Sequence, residues 1–187
     1  MSIGDAEIKT QERVIRFFKD PEILGYQYIG NLSDQQNKNI KEDRLRQYLR
    51  LKGYADKLID AAVMQLHQEA GNLSRGVYDA NKTVYSRLKY GIPVSESPEK
   101  PPVTVELIDE TNPLNNDFAI AEEVTVVEQQ EKRPDLVIYL NGIAVAVIEL
   151  KRSSISVSEG IRQNLTNQKD SFIRGFFTTM QFCMAGN

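Results

Sequence analysis

Two carboxylates and one ammonium interrupt two otherwise apolar segments in the second half of the chain. Asp135 follows Pro134 and precedes one apolar run, while Glu149 and Lys151 close the next. Burying an unpaired carboxylate in an apolar strand is strongly disfavoured, so something must neutralise Asp135 and Glu149 together. The simplest candidate is a divalent cation with Lys151 beside it. That combination is suited to breaking phosphodiester bonds.

The ligand chemistry favours magnesium. Mg²⁺ prefers near-octahedral oxygen ligation and usually takes one or two carboxylates, with water and substrate oxygens filling the remaining positions. Asp135 and Glu149 would supply the carboxylates, and the backbone carbonyl of Leu150 a third oxygen. Lys151 would orient or deprotonate the attacking water, or stabilise charge on the phosphate, and the sequence leaves these roles open.

Whether the two acids share a face depends on the hairpin between them. Asn141-Gly142 is a strong hairpin turn sequence. A regular two-residue loop would place Asp135 opposite Ile148, and the acids would then point to opposite faces. We therefore predict a three-residue loop over residues 140–142 in which Tyr139 pairs with Ile143, or a bulge with the same effect.

These charges have an ordinary interpretation as well. Glu-x-Lys is common at strand ends and is uninformative by itself. Pro-Asp followed by an apolar strand, a turn, a second apolar strand and Glu-x-Lys is much rarer. The complete pattern therefore favours a catalytic site.

The elements that must position these residues change character at residues 95–102, a segment rich in proline and serine that we interpret as a linker or exposed loop. Helical periodicity predominates before it and strand-like alternation after it. The pattern predicts a mixed β-sheet with helices on its faces. Predicted helices cover 10–20, 39–51, 55–70, 73–89 and 158–172, and predicted strands cover 25–30, 103–108, 117–128, 133–140, 143–151 and 178–185.

Bulk composition excludes several classes of protein. The chain has 187 residues, of which 41% are hydrophobic and 26% charged, as in ordinary globular domains. No apolar run approaches the roughly 20 residues of a membrane helix, and no secretory signal is visible. Cys183 is the single cysteine, which excludes an intrachain disulfide and a cysteine-based zinc site and fits a cytoplasmic location.

The net charge of −3 is unusual for a stand-alone DNA-binding domain. Any binding of nucleic acid must therefore rely on a local patch of the surface or on partner proteins. The chain ends directly after an apolar stretch, from which we expect a fragment of a longer protein.

Four segments together resemble the PD-(D/E)XK nuclease superfamily, and more narrowly the N-terminal nuclease domain of the restriction (R) subunit of type I restriction-modification enzymes. They are Arg-Pro-Asp-Leu-Val-Ile-Tyr-Leu-Asn-Gly (133–142), Val-Ile-Glu-Leu-Lys-Arg-Ser (147–153), Glu-Gly-Ile-Arg-Gln-Asn-Leu-Thr-Asn-Gln (159–168) and Phe-Phe-Thr-Thr-Met-Gln-Phe-Cys-Met-Ala-Gly-Asn (176–187). The resemblance covers residues 103–187 well and the first helix more loosely.

The resemblance implies an α/β, restriction-endonuclease-like fold with a central mixed β-sheet flanked by helices. Its core motif does not account for the predicted helices between residues 31 and 95, which we interpret as an N-terminal helical insertion. One nuclease domain would span residues 1–187. It would comprise an N-terminal helix and strand (1–30), the helical insertion (31–95) and the nuclease core (103–187).

The resemblance also implies a site. Asp135, Glu149 and Lys151 would be the catalytic set, with Mg²⁺ or Mn²⁺ as cofactor. Such domains often carry a metal-facing glutamate on the first helix, for which Glu12 is the candidate, although an ordinary solvated charge explains it equally well. The family's Gln-x-x-x-Tyr motif places its glutamine at Gln163, but its tyrosine position holds Asn167.

In the family, the nuclease is fused to an ATP-driven DNA translocase and assembles with modification and specificity subunits. The implied partners are therefore double-stranded DNA and those subunits, without a membrane, and ATP would serve a motor outside these residues. Two alternatives remain open: a non-catalytic docking domain of the motor subunit, and another PD-(D/E)XK nuclease acting in DNA repair or on junctions.

Basic residues offer two places for DNA contact. Arg152, Arg162 and Lys169 lie near the predicted site and are the better placed. A second cluster in the second helix either contacts DNA or is only a solvated face; it consists of Lys41, Arg44, Arg46, Arg50 and Lys52.

Overall fold

The structure is a computed structural model that describes residues 5–187. The helices are α1 (Asp5–Lys19), α2 (Glu42–Leu51), α3 (Asp56–Gly71), α4 (Val77–Tyr90) and α5 (Val157–Asn167), with 3₁₀ turns at Pro113–Asn115 and Arg174–Thr178. The strands are β1 (Gln27–Asn31), β2 (Ile92–Val94), β3 (Val103–Val105), β4 (Phe118–Glu122), β5 (Val126–Val127), β6 (Glu131–Lys132), β7 (Leu136–Leu140), β8 (Ile143–Leu150) and β9 (Phe182–Gly186).

Five strands form a central mixed sheet in the order β1-β4-β7-β8-β9. The two inner pairings, β4 with β7 and β7 with β8, are antiparallel, whereas the outer pairings of β1 with β4 and β8 with β9 are parallel. Strands β7 and β8 are nearly continuous apolar runs because both faces of the sheet are covered. The predicted mixed α/β sheet with flanking helices is confirmed.

The two faces of the sheet have different covers. Helix α1 packs Ile15 against a cluster that includes Leu136 and Ile148 on one face. On the other face, Phe176 and its neighbours pack against the sheet around Val147. Helix α5 lies beside that second cover and contacts β8 and β9.

Helices α2, α3 and α4 share a separate hydrophobic cluster with β2 and β3. Ile143, at the tip of the β7–β8 hairpin, belongs to this cluster and forms an isolated bridge with Ile40. The helical segment therefore sits on the turn end of the hairpin, away from the end that carries Asp135 and Glu149.

Residues 95–102 form the exposed loop that was one of the two expectations for this segment. They are the loop of a hairpin and not a linker, because β2 pairs antiparallel with β3 in a small sheet of its own. Ile92, Val94 and Val105 are buried and pack into the helical cluster, so β3 joins the helices instead of the central sheet. The alternation in residues 103–108 indicated a strand correctly but carried no information about its partner.

The turn of the β7–β8 hairpin has two residues, so the predicted three-residue loop is wrong. Leu140 pairs with Ile143, and the connecting residues Asn141 and Gly142 have φ of 52° and 82°. Positive φ at both central residues is the geometry of the favoured type I′ turn.

A bulge corrects the register further along the same hairpin. Tyr139 pairs with Ala144, but Ile138 pairs with Ala146, which leaves Val145 as the extra residue. The alternative expectation, a bulge with the same effect as an odd loop, is confirmed. After the bulge Leu136 pairs with Ile148, so the next positions, Asp135 and Glu149, oppose each other.

Asn141 explains why the short turn is retained. Its buried side chain donates to the Leu107 carbonyl and to Asn116 Oδ1, both at 2.8 Å, and accepts from the Asp117 N–H at 2.7 Å. Gly142 lies so close to α2 that a Cβ there would stand 2.6 Å from the Lys41 carbonyl oxygen. The turn is thus fixed by tertiary contacts as well as by its own conformation.

Helix and strand ends also shifted. Helix α5 ends at Asn167, earlier than predicted, and β9 begins at Phe182, later than predicted. A 3₁₀ turn at Arg174–Thr178 occupies part of the chain between them. No helix within residues 5–187 combines the length and apolarity needed to cross a bilayer.

Candidate active site

Asp135 and Glu149 lie on one face of the sheet at the open end of the β7–β8 hairpin. Their positions follow directly after the Leu136–Ile148 pair, and opposed residues of antiparallel strands share a face. Asp135 Oδ2 accepts the backbone N–H of Leu150 at 2.6 Å. This bond ties the first carboxylate to the strand that carries the second.

The backbone at Asp135 is held by the turn that follows β4. Glu123 adopts a positive φ of 52°, and its N–H donates to the Asp135 carbonyl at 2.8 Å. The next N–H, of Val124, donates to the Pro134 carbonyl at 3.0 Å. Pro134 has no N–H to contribute to a ladder, and it is placed just before the strand begins.

Glu149 is fully buried. Its Oε2 accepts from Gln163 Nε2 at 2.7 Å, while no hydrogen-bond partner for Oε1 exists among the described residues. Burial, with the neighbouring Asp135 carboxylate adding to it and Lys151 opposing it, raises the pKa of Glu149 to about 8. A buried carboxylate oxygen without a donor costs free energy unless a proton or a cation occupies it.

Helix α5 brings Gln163 to the site through a close approach to the sheet. Ser156 caps the helix by accepting the Ser158 N–H at 3.3 Å. Gly160 faces the sheet, where a Cβ would stand 2.9 Å from the Ala185 Cβ and 3.5 Å from the Glu149 Cβ. Only a glycine allows this separation, and Gln163 follows one turn later.

Lys151 is half-buried at the end of β8 and lines a groove of about 420 Å³. Gln163 and Asn167 of α5 line the same groove, and so do Lys132 and Phe172. The structure therefore brings together Asp135, Glu149, Lys151 and Gln163, with Asn167 further along the groove wall.

The other predicted site residues lie at the margin. Arg162 is exposed, lines the groove and pairs with Glu159. Arg152 is half-buried just after β8, and Lys169 is exposed beyond α5. These positions permit contact with a ligand in the groove.

Glu12 is exposed on α1, and the buried side chain at this level of the helix is its neighbour Gln11. Gln11 Nε2 donates to Glu122 Oε2 at 3.0 Å and to Glu123 Oε1 at 3.2 Å. Gln11 is absent from the predicted site residues because the resemblance indicates an acidic residue on this helix. Its helical spacing from Ile15 would have placed it on the inner face.

Four of the five residues in the basic cluster around α2 form ion pairs with acidic side chains. Arg44 binds Asp117 through two hydrogen bonds of 2.6 and 2.9 Å, and Lys52 lies 2.9 Å from Asp109. Arg46 and Arg50 also have acidic partners. These pairs favour the interpretation of this cluster as a structural and solvated face.

Two carboxylates fit a magnesium-type site. No group of three or more His, Cys, Asp or Glu side chains that could hold a metal occurs in the part of the chain that the structure describes. Mg²⁺, however, needs only one or two carboxylates when water and phosphate oxygens complete its shell. Glu149 Oε1, which accepts no hydrogen bond from the described residues, is the observation that matches such an ion.

The mixed sheet, its central acidic hairpin and the helix that contacts the second acid define the restriction-endonuclease-like class of folds. The family model described as "Type I restriction enzyme R protein N terminus" matches residues 7–187. The chain therefore belongs to the family of type I restriction enzyme R protein N-terminal regions.

Two curated relatives support the same assignment. The type I restriction enzyme MjaIXP endonuclease subunit of Methanocaldococcus jannaschii is 28% identical over 122 residues, which cover 60% of this chain and 12% of the relative. The type I restriction enzyme SsaAORF53P endonuclease subunit of Staphylococcus saprophyticus is 29% identical over 85 residues, covering 46% and 9%. The chain thus spans about a tenth of the length of these relatives.

Proposed function

We propose that this chain is the metal-dependent nuclease domain of a type I restriction enzyme R subunit and hydrolyses DNA phosphodiester bonds. The observation that carries the proposal is the position of Asp135 and Glu149 on one face, with a buried Glu149 oxygen to which none of the described residues donates. The family assignment and the names of the two relatives agree with it.

Asp135 and Glu149 would hold Mg²⁺ or Mn²⁺, with the Leu150 carbonyl as a third oxygen ligand. When bound, the cation would lower the pKa of a water molecule and offset negative charge on the phosphate. Gln163 orients the Glu149 carboxylate through its 2.7 Å hydrogen bond. The Leu150 N–H does the same for Asp135 at 2.6 Å.

Lys151 would act on the groove side of this pair. Its ammonium lines the groove beside the second acid, where it would orient the attacking water and stabilise the charge that accumulates on the phosphate. Water would add to phosphorus, the bond to one bridging oxygen would break, and the leaving oxygen would take up a proton.

The complete enzyme would supply what the domain lacks. We propose that an ATP-driven motor outside these residues moves DNA to this site. Modification and specificity subunits would provide target selection. The net charge of −3 makes strong autonomous DNA binding unfavourable, so cleavage by the isolated chain should be weak or absent.

Substitution in the assembled enzyme tests the proposal. Glu149→Gln and Lys151→Ala should each abolish DNA cleavage, while ATP hydrolysis continues at the unmodified rate. Glu131→Gln, at an exposed position, is the matched control and should cleave normally. Undiminished cleavage by Glu149→Gln would show that this carboxylate pair is not the nuclease site. That result would favour a docking role for the domain.

A further inference from the structure

Beyond the carboxylate pair, the groove holds a lysine and a buried amide for which the described residues supply no acidic partner and no acceptor, respectively. We propose that Lys132 and Asn167 form a subsite for a DNA backbone phosphate adjacent to the one that is cleaved. The inference rests on the proposed function and deepens it, because neither residue belongs to the carboxylate set.

Lys132 is the terminal residue of β6, and its side chain crosses the Phe172 ring, with Nζ 4.9 Å from the ring centroid. In the described part of the chain this ring is its only such neighbour, and no carboxylate pairs with its ammonium. Both residues line the groove. The ammonium is thus held beside the groove with its charge unneutralised.

The β5–β6 hairpin that carries Lys132 is anchored to the segment after α5. The Gln129 N–H donates to the Phe172 carbonyl at 3.2 Å, and Glu128 Oε2 accepts the Gly175 N–H at 2.9 Å. These two bonds fix the hairpin as the wall of the groove that faces α5. Lys132 therefore need not be ordered by the ligand that it binds.

Asn167 lies on the opposite wall, one turn beyond Gln163 on α5. Its side chain is 2% exposed, and its Nδ2 lacks an acceptor within the described residues. Buried amide N–H groups are nearly always hydrogen-bonded, so an exception beside a groove indicates a missing acceptor. A phosphate oxygen accepts such bonds and also attracts the ammonium across the groove.

The charges around the groove point to the same class of ligand. Its charged lining residues are Lys132, Lys151 and Arg162 against Glu159 alone, and Glu159 is already paired with Arg162. This excess of cations stands out in a chain with a net charge of −3. An extended anion that passes the carboxylate pair would be bound by Lys132 and Asn167 at its next phosphate.

The salt dependence of DNA binding tests the subsite. A short fluorescein-labelled duplex is titrated with the 187-residue chain in Ca²⁺, which supports binding without cleavage, and anisotropy is recorded between about 50 and 200 mM salt. Lys132→Ala should reduce the slope of log K against log salt by about 1. Asn167→Asp keeps the side-chain size but opposes a phosphate, so it should weaken binding at every salt concentration.

Lys57→Ala is the matched control. Lys57 is exposed on α3, in the helical segment at the turn end of the β7–β8 hairpin, and its loss changes the net charge equally. Equal slopes for Lys132→Ala and Lys57→Ala would overturn the subsite and leave the nuclease proposal standing. A reduced slope combined with full cleavage by the assembled Glu149→Gln enzyme would support the subsite and overturn the nuclease proposal. Circular dichroism checks that each variant is folded.

Discussion

Replacing Glu149 with glutamine should change how the stability of the domain depends on pH. Glutamine keeps the size of the side chain and can still accept the Gln163 hydrogen bond through its amide oxygen. It removes the group whose charged form is disfavoured by burial and by Asp135. The substitution should therefore abolish catalysis and, above acidic pH, stabilise the fold.

The magnitude follows from the shifted pKa. The pKa of Glu149 is about 8, against an ordinary value of 4.5, and each unit is worth about 1.4 kcal/mol. Between these values the folded state keeps a proton that the unfolded state has released, so the free energy of unfolding falls as pH rises. Across the whole window the loss is about 5 kcal/mol, after which the dependence on this group levels off.

Urea unfolding followed by circular dichroism measures the effect between pH 4.5 and pH 8. The stability of Glu149→Gln minus that of the unmodified chain should grow steadily across this range. Contributions from titrating groups that do not interact with Glu149 cancel in the difference. Glu131→Gln, exposed on β6, should show a constant difference. Parallel curves for Glu149→Gln and the unmodified chain would refute the argument that burial shifts this pKa.

Three further predictions concern the site and the turn that positions it. Mn²⁺ binding at pH 7, measured by calorimetry in two buffers of different ionisation enthalpy, should release about one proton per ion. Asp135→Asn should weaken Mn²⁺ binding. Binding without proton release would contradict the protonated state of Glu149. Gly160→Ala should impair cleavage more than stability, because the added Cβ would meet Ala185 at 2.9 Å and displace α5; Gly71→Ala, with open space around it, is the control and should cleave normally. Asn141→Ala should cost about 3 kcal/mol in urea unfolding, because one buried and two partly buried hydrogen bonds are lost. A loss below about 1 kcal/mol would show that the turn does not need them.

Much of the sheet could be predicted from local patterns. The apolar runs around Asn141-Gly142 indicated a hairpin because a type I′ turn requires residues that tolerate positive φ. Asp135 and Glu149, at the open end of this hairpin, share a face only if the hairpin contains a three-residue loop or a bulge. The bulge itself could not be located, since Val145 is apolar and β-branched like Ile143, Val147 and Ile148 of the same strand.

Features that depend on distant partners were not predictable. Residues 103–108 alternate as a strand should, but their pairing with Ile92–Val94 depends on the helical cluster that buries them. Lys132 was missed for the same reason, because a lysine in a two-residue strand has no local pattern to mark it. The role proposed for it follows from Phe172, whose ring it crosses, and from α5, which lines the same groove.

The extra residue at Val145 also determines which length changes the hairpin can tolerate. Asp135 and Glu149 are separated by an even number of positions, whereas a regular ladder closed by two residues places odd separations opposite each other. Deleting Val145 would remove the kink and leave both acids facing the same way. Inserting a residue in either arm would demand a second kink or a longer turn. In evolution, this hairpin should therefore accept a one-residue deletion far more readily than a one-residue insertion.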